Sequence, residues 1–578
     1  MNAVASALSR FPVLFGIGLI AGLASALYLR FLANPPVFDD IGFFSGLRHA
    51  YYATHPFGLE LRLPPYFSLA IVQVIWGTME AHRILGLVFH IACSLALYKL
   101  IFDLQHHAAR RSAAPPPAGL GAHAPAFIAA AAFAVHPVAV YGAGYLIQRS
   151  SVFATLFALA SIILYVRGLG RRSHADAISA ALVYSLAVLS RETAVMLPVT
   201  AVVAGLIVTV ERRFALRHAA LYLAGCVPAA AFVTLLVKGK IGATYEPDFG
   251  VVSAQIERIG AHTVLESPWL ESAVTQAGLF FRYLALWVFP DSDALSIDLR
   301  IDFAGVWSPA VAVIAVAGFI GYGVVGLYLM RRGGLARMAG FGLLFPWILF
   351  FTEFVTIRFQ EPFVLYRSYL WAPGLMVVLA SGLARVPVRV AGAAALLVLP
   401  LLFYQAHHRL NTFASNLALW EDAVAKLPRR AVPGGSRTLY HLGRGYLYQN
   451  RAERAIAVAE RCLVEYPATY DCHMARASIH LYLEEYRQAI THLASAVLLR
   501  PESGTARHHI GVALENLGCL DEARAQYRHA LNLGFAGAVH RLSRLDTPGR
   551  GLLPPAKPKE RSDACGEPLP AGVGPPRR

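Results

Sequence analysis

Charge is what this chain has least of. Only 15% of its residues are Asp, Glu, Lys or Arg, where an average soluble protein has about 25%. Apolar residues make up 56% and the mean hydropathy is +0.51. A soluble globular fold is thereby excluded. Cysteine is scarce as well, and the six present fall in no metal-type spacing. The net charge of +16 does not point to nucleic acid, since no basic stripe is interleaved with aromatics as a binding groove requires.

What the sequence has instead is apolar runs. From Phe11 to about Tyr404 they recur at lengths of about 18 to 20 residues, enough to cross a hydrocarbon core of about 30 Å. Basic residues cluster between them: Arg110-Arg111, Arg167 with Arg171-Arg172, Arg212-Arg213 with Arg217, Arg331-Arg332, and Arg385 with Arg389. Placing those clusters in the cytoplasm threads the chain through spans near 11–30, 81–102, 125–146, 150–168, 175–190, 193–210, 218–237, 309–330, 339–357, 368–384 and 390–406. The expectation is an all-α polytopic membrane domain of about eleven spans over 1–410, with its N-terminus inside. Loops 31–80, 238–308 and 358–367 then face outward, as does everything after about 406. The first span is expected to stay uncleaved, for want of a small-x-small site.

Val274 to Pro290 does not fit this path. It carries Arg282, and a charge at the bilayer centre costs about 2.5–3.5 kcal/mol on insertion scales. We read it as a helix on or dipping into the outer interface; a twelfth span, with the C-terminus inside, is the alternative. Cys93 and Cys226 fall in apolar spans as small buried hydrophobes. Cys462, Cys472 and Cys519 allow a disulfide whose partners the sequence does not choose.

The C-terminal part carries a repeat. Gly443, Ala477 and Gly511 stand 34 residues apart, as do Ala455, Ala489 and Ala523, and Cys462, Ala496 and Ala530. This is the register of a tetratricopeptide α-solenoid, in which small residues let paired helices pack closely. The expected module covers 411–546, with repeats near 436–469, 470–503 and 504–536. Residues 547–578, rich in Pro, Gly and Lys, are expected to be disordered.

Several short runs follow in a telling order: Arg62-Leu63-Pro64-Pro65-Tyr66, Ala134-Val135-His136-Pro137, Leu146-Ile147-Gln148-Arg149-Ser150, Leu189-Ser190-Arg191-Glu192-Thr193, and Arg282-Tyr283-Leu284 with Phe289-Pro290 and Asp298. In this order the chain resembles the multi-span, tetratricopeptide-tailed O-mannosyltransferases, and more broadly the GT-C glycosyltransferases that use polyprenyl-phosphate sugars. Tyr141 and Ser151 stand where eukaryotic members carry Glu and Asp. The segment 364–371 follows the family's late arginine motif only loosely. The resemblance therefore implies fold and donor chemistry without naming mannose.

Inverting transfer from a lipid-phosphate sugar needs one carboxylate to take the acceptor's proton and cations to hold the phosphate. The resemblance puts the acid in the first outer loop, where Pro35-Pro36-Val37-Phe38-Asp39-Asp40 lies. Adjacent carboxylates diverge, so one faces the site; Asp40 is favoured as base, Asp39 second, and a hydrated turn is the alternative. Arg149, Arg282 and Arg367 sit at outer ends of apolar segments and are the candidates for the donor phosphate, with snorkelling interfacial arginines as the alternative. Glu192, Arg191, His136 and Tyr283 are possible acceptor or cavity residues. Glu192 has the alternative of pairing with Arg191, and His136 that of a structural histidine at a Pro kink. Glu353 and Glu361 are weaker candidates.

The reading is a bacterial inner-membrane glycosyltransferase with its repeats in the periplasm. It moves a sugar from a polyprenyl-phosphate or -diphosphate donor to an acceptor, with protein O-glycosylation through the repeats the first choice. Partners are the bilayer, the lipid-linked sugar and a protein acceptor, with no nucleic acid. The sequence requires no cofactor and no spacing demands a metal. The alternatives are transfer to a lipid or polysaccharide, a non-catalytic scaffold, and a transporter, for which no inverted repeat is visible.

Overall fold

The computed structural model describes residues 12–44, 48–109, 120–244, 267–303, 308–359, 361–546 and 565. Arg110-Arg111, the middle of the 238–308 loop and the tail expected to be disordered (Cys565 apart) lie outside the described residues. The chain is helical, and isolated bridges are the only β pairing among the described residues. The first part holds α1 (Pro12–Tyr28), α2 (Asp39–Phe44), α3 (Arg48–Thr54), α4 (Leu63–Ile75), α5 (Met79–Ala109), α6 (Leu120–Ala134) and the one-turn α7 (Val140–Ala143). Then come α8 (Arg149–Arg171), α9 (His174–Ser190), α10 (Leu197–Gly205), α11 (Arg212–Val237), α12 (Pro268–Val288), α13 (Pro309–Arg331), α14 (Gly334–Phe350), α15 (Ala372–Leu383) and α16 (Val388–Thr412). The C-terminal part consists of α17 (Asn416–Ala425), α18 (Gly435–Tyr448), α19 (Ala452–Glu465), α20 (Tyr470–Tyr482), α21 (Tyr486–Leu499), α22 (Gly504–Leu517), α23 (Leu520–Asn532) and α24 (Ala538–Asp546).

Among the described residues, seven helices, α1, α5, α8, α11, α13, α14 and α16, are long and apolar enough to cross a membrane. Together α6 and α7 form an eighth candidate, bent by 49°. The cause is local: Pro137 has no N–H to continue the helix, and His136 turns extended, its Nδ1 accepting the Val138 N–H. The other three expected spans appear as the shorter apolar helices α9, α10 and α15. At 12 residues, α15 rises only about 18 Å, so a crossing there needs the turns that flank it.

The ends carrying the basic clusters gather on one face. His107 lies against Gly170, the Ala108 carbonyl faces Gly334, and Arg337 donates to the Leu206 carbonyl. A cavity of about 740 Å³ opens on this face between the ends of α5, α6, α14, α15 and α16. Helices touch closely where side chains are small. Gly342 of α14 and Gly374 of α15 meet so tightly that a Cβ on either would stand under 3 Å from the other's carbonyl oxygen, the small-residue contact expected between helices in lipid.

The segment around Arg282 is α12. Gly278 faces Ala315, and Phe281 packs beside Gly318 and Tyr322 of α13. Those pairs advance together, so α12 and α13 run the same way although they follow one another in the chain.

The C-terminal helices pair as hairpins, α18 with α19, α20 with α21, and α22 with α23, with α24 packed on the last. Ala455, Ala489 and Ala523 are fully buried between them. A disulfide joins Cys462 to Cys472, between α19 and α20, and another joins Cys519 to Cys565. The apolar core runs unbroken from the bundle into these helices.

Candidate functional site

On the face opposite the basic clusters, the two adjacent aspartates part company. Asp40 is fully buried. Its Oδ1 accepts the Ile147 N–H at 2.8 Å and its Oδ2 the Val37 N–H at 3.3 Å. Burial outweighs those bonds and nearby Arg83, and pushes the carboxyl up to about 7. Arg83 gives its guanidinium to the carbonyls of Asn34, Pro35 and Gly144 at 2.8–3.0 Å, stapling the first outer loop to the bend after α7. Asp39 is exposed, yet surrounding protein, with Glu361 adding to it, raises its pKa despite Tyr145, Arg437 and Arg48. Open to water and flanked by protein is what a carboxylate at the wall of a cleft experiences. The Tyr145 hydroxyl accepts the Asp39 N–H at 3.1 Å.

Phe38, the residue before the pair, has φ +49°. For an aromatic side chain that conformation costs about 1–3 kcal/mol and lasts only where the surroundings hold it. Its ring meets Trp420 and His441 edge-on, with centroids 5.1 and 5.6 Å away, and Arg437 stands over it at 5.4 Å. Aromatic pairs contribute about 0.5–1.5 kcal/mol each, which matches the strain. The Phe38 N–H donates to Asn416 Oδ1 at 3.2 Å. Arg437 also pairs with Glu361 and, at 3.2 Å, with Asp298, which accepts the Thr438 hydroxyl at 2.8 Å. Burial acts to raise the Asp298 carboxyl, but Arg300 and Arg437 bring it down to about 2. One guanidinium from the C-terminal part thus meets all three outer loops.

The arginines sort by partner. Arg367 is buried against Glu353 at 3.1 Å, with Arg358 on the same carboxylate. Arg62, itself at φ +63°, grips Glu192 with two nitrogens. Glu192 therefore pairs with Arg62 and not with its neighbour Arg191. Arg191 is buried and donates to Gln148 Oε1 at 3.0 Å and Ser151 Oγ at 2.7 Å, both neutral, while its Nε has no partner among the described residues. Among the described residues, Arg149 likewise bonds only Ser68 Oγ and the His82 carbonyl. A buried guanidinium held by neutral acceptors retains an unspent charge, costly unless an anion joins it. The Arg191 guanidinium lies over Tyr366 at 5.2 Å, and Tyr366 lies 6.5 Å from Tyr145. Asp39, Tyr145, Tyr366 and Arg191 thus follow one another along a single aromatic floor.

The remaining predicted residues are occupied or apart. His136 is stacked on Trp287 with both nitrogens engaged, Nδ1 by the Val138 N–H and Nε2 by the Trp287 carbonyl. The Tyr283 hydroxyl donates to the Val364 carbonyl and accepts its N–H. Arg282 is exposed on α12, over Phe363. Sequence reasoning passed over Arg83, Tyr145, Tyr366 and Arg437. Arg83 carried a signal, a charge inside an expected span; the tyrosines and Arg437 carried none. Among the described residues, no three His, Cys, Asp or Glu side chains are grouped to hold a metal.

No protein-family model matches the sequence, and no curated protein matches it. Among solved structures, the chain is similar to the crystal structure of the Archaeoglobus fulgidus oligosaccharyltransferase in the apo form, with a TM-score of 0.36 and 14% identity. The match covers 75% of this chain and 60% of that one.

Proposed function

We propose that the protein is a GT-C-type glycosyltransferase of a bacterial inner membrane, moving a sugar from a polyprenyl-phosphate or -diphosphate carrier to a protein hydroxyl in the periplasm. One observation carries this reading: an open carboxylate, Asp39, and a buried guanidinium hydrogen-bonded to neutral groups, Arg191, border the same aromatic floor. The acceptor oxygen attacks the anomeric carbon and its proton passes to Asp39. The bond to the phosphate oxygen breaks and the polyprenyl phosphate leaves with the electron pair. Arg191, backed by Arg149, holds the phosphate and stabilises the charge it gains. Arg367, neutralised by Glu353, takes a lesser part. Asp40, favoured from the sequence, becomes the anchor of the loop, because both its oxygens are spent on backbone amides.

The C-terminal hairpins act as a tetratricopeptide module that receives the acceptor. Their two disulfides suit an oxidising compartment, and the basic clusters lie on the opposite face, as the positive-inside rule expects. The test is intact mass of secreted and envelope proteins from cells expressing the wild type, Asp39→Asn or Arg191→Lys. Expected is a hexose- or HexNAc-sized increment that vanishes in Asp39→Asn. Arg191→Lys keeps the charge but loses the two-pronged grip on phosphate, so the increment falls by about tenfold or more. An increment unchanged in Asp39→Asn ends the base assignment; no increment even in the wild type turns the search to glycolipid.

A further inference from the structure

The C-terminal helices do more at this site than stand beside it. Residues 37–40 close on themselves: the Asp40 N–H donates to the Val37 carbonyl at 3.0 Å, and the Val37 N–H returns to the Asp40 carboxylate. Phe38 is the turning point, the place where the chain changes from buried Val37 to exposed Asp39. Relaxing Phe38 to a negative φ rotates the peptide that follows it and takes the Asp39 N–H away from Tyr145. The bundle side of the loop is held by Tyr145 and Ile147. The Phe38 ring and its N–H are held by Asn416, Trp420, Arg437 and His441, all beyond the last membrane helix. His441 in turn stacks flat on Trp420, with centroids 4.4 Å apart.

We propose that Asn416, Trp420 and His441 are positioning residues of the transfer reaction: they hold Phe38 in its left-handed conformation and so aim the Asp39 carboxylate into the site. The proposal rests on the reading of Asp39 as the base. It makes the first C-terminal helices, α17 and α18, a wall of the active site as well as the start of an acceptor-binding module.

The test uses full-length protein in nanodiscs and a panel of synthetic polyprenyl-phosphate hexoses as donors. Trp420→Ala is expected to lower kcat by about a hundredfold, the effect of a displaced catalytic group, with the donor KM little changed. Trp420→Phe restores kcat. So, in part, does adding Phe38→Gly to Trp420→Ala, because glycine takes a positive φ without support. A second readout needs no turnover: hydrogen exchange of the 37–44 segment quickens in Trp420→Ala while that of α8 does not. A Trp420→Ala enzyme with wild-type kcat, or a double variant no better than the single, overturns the positioning role. Full transfer by Asp39→Asn overturns the base assignment itself. Loss in Asp39→Asn beside full activity in Trp420→Ala overturns the positioning role alone.

Discussion

At Asp39 and Asp40 one residue of sequence separates a group open to solvent from one sealed in protein. The sealed one has a measurable consequence. The folded chain holds the Asp40 carboxyl up to about 7, above the ordinary Asp value of about 3.9. A raised folded pKa means the fold favours the protonated form, so this contribution to stability is complete in acid and is lost as pH rises through 7. The thermal midpoint of the detergent-solubilised protein should fall between pH 5 and pH 8, and Asp40→Asn should flatten that slope. An equal slope in both proteins would mean that Asp40 is not the titrating group. Hydrophobic patterning marks the neighbourhood of this pair and nothing more. Which aspartate turns inward is decided by Ile147, more than a hundred residues away, and by Phe38's backbone, neither of which has a local signature.

Among the helices, those with long apolar runs were legible. Length and composition are enough to define α1, α5, α8, α11, α13, α14 and α16, because a helix that meets lipid all round is apolar all round. The His136-Pro137 pair showed its bend for the same reason, a missing N–H. The short helices α9, α10 and α15 read as ordinary spans, since hydropathy does not register where a 3-10 turn takes over. The direction of α12 was hidden altogether, being set by packing against α13. That direction is open to a chemical test. Because Trp269 at the start of α12 donates to the Phe354 carbonyl, and Leu295 and Asp298 just past its end bond Arg409 and Thr438, cysteines introduced as Ser267→Cys and Asp291→Cys should both react with a membrane-impermeant maleimide from the outer side. Labelling from opposite sides would make α12 a full crossing.

In the molecule as a whole, the C-terminal part meets the outer loops through residues from Asn416 to His441, which all precede α22 to α24. The two halves of the module should therefore be separable. A chain ending at 503 is expected to keep donor binding and slow release of sugar to water, and to lose transfer to protein. Retained protein transfer would place the acceptor site elsewhere. The repeat's register was plain from small residues at a 34-residue period. Its intimacy with the first outer loop was not, because Arg437 and Trp420 look like any other solvent-facing arginine and buried tryptophan of a helical region.

The Phe38 amide finds its partner 378 positions along the chain, and the Asn34 side chain finds its own 376 positions along. A ribosome delivers the beginning of that pair long before the end. The first loop must wait, loose and without its aspartate aimed, until nearly the whole polypeptide has been threaded and the last segments have crossed. On the proposed function, newly made protein is for that reason inert toward its donor throughout synthesis, and competence arrives in a single late step of maturation.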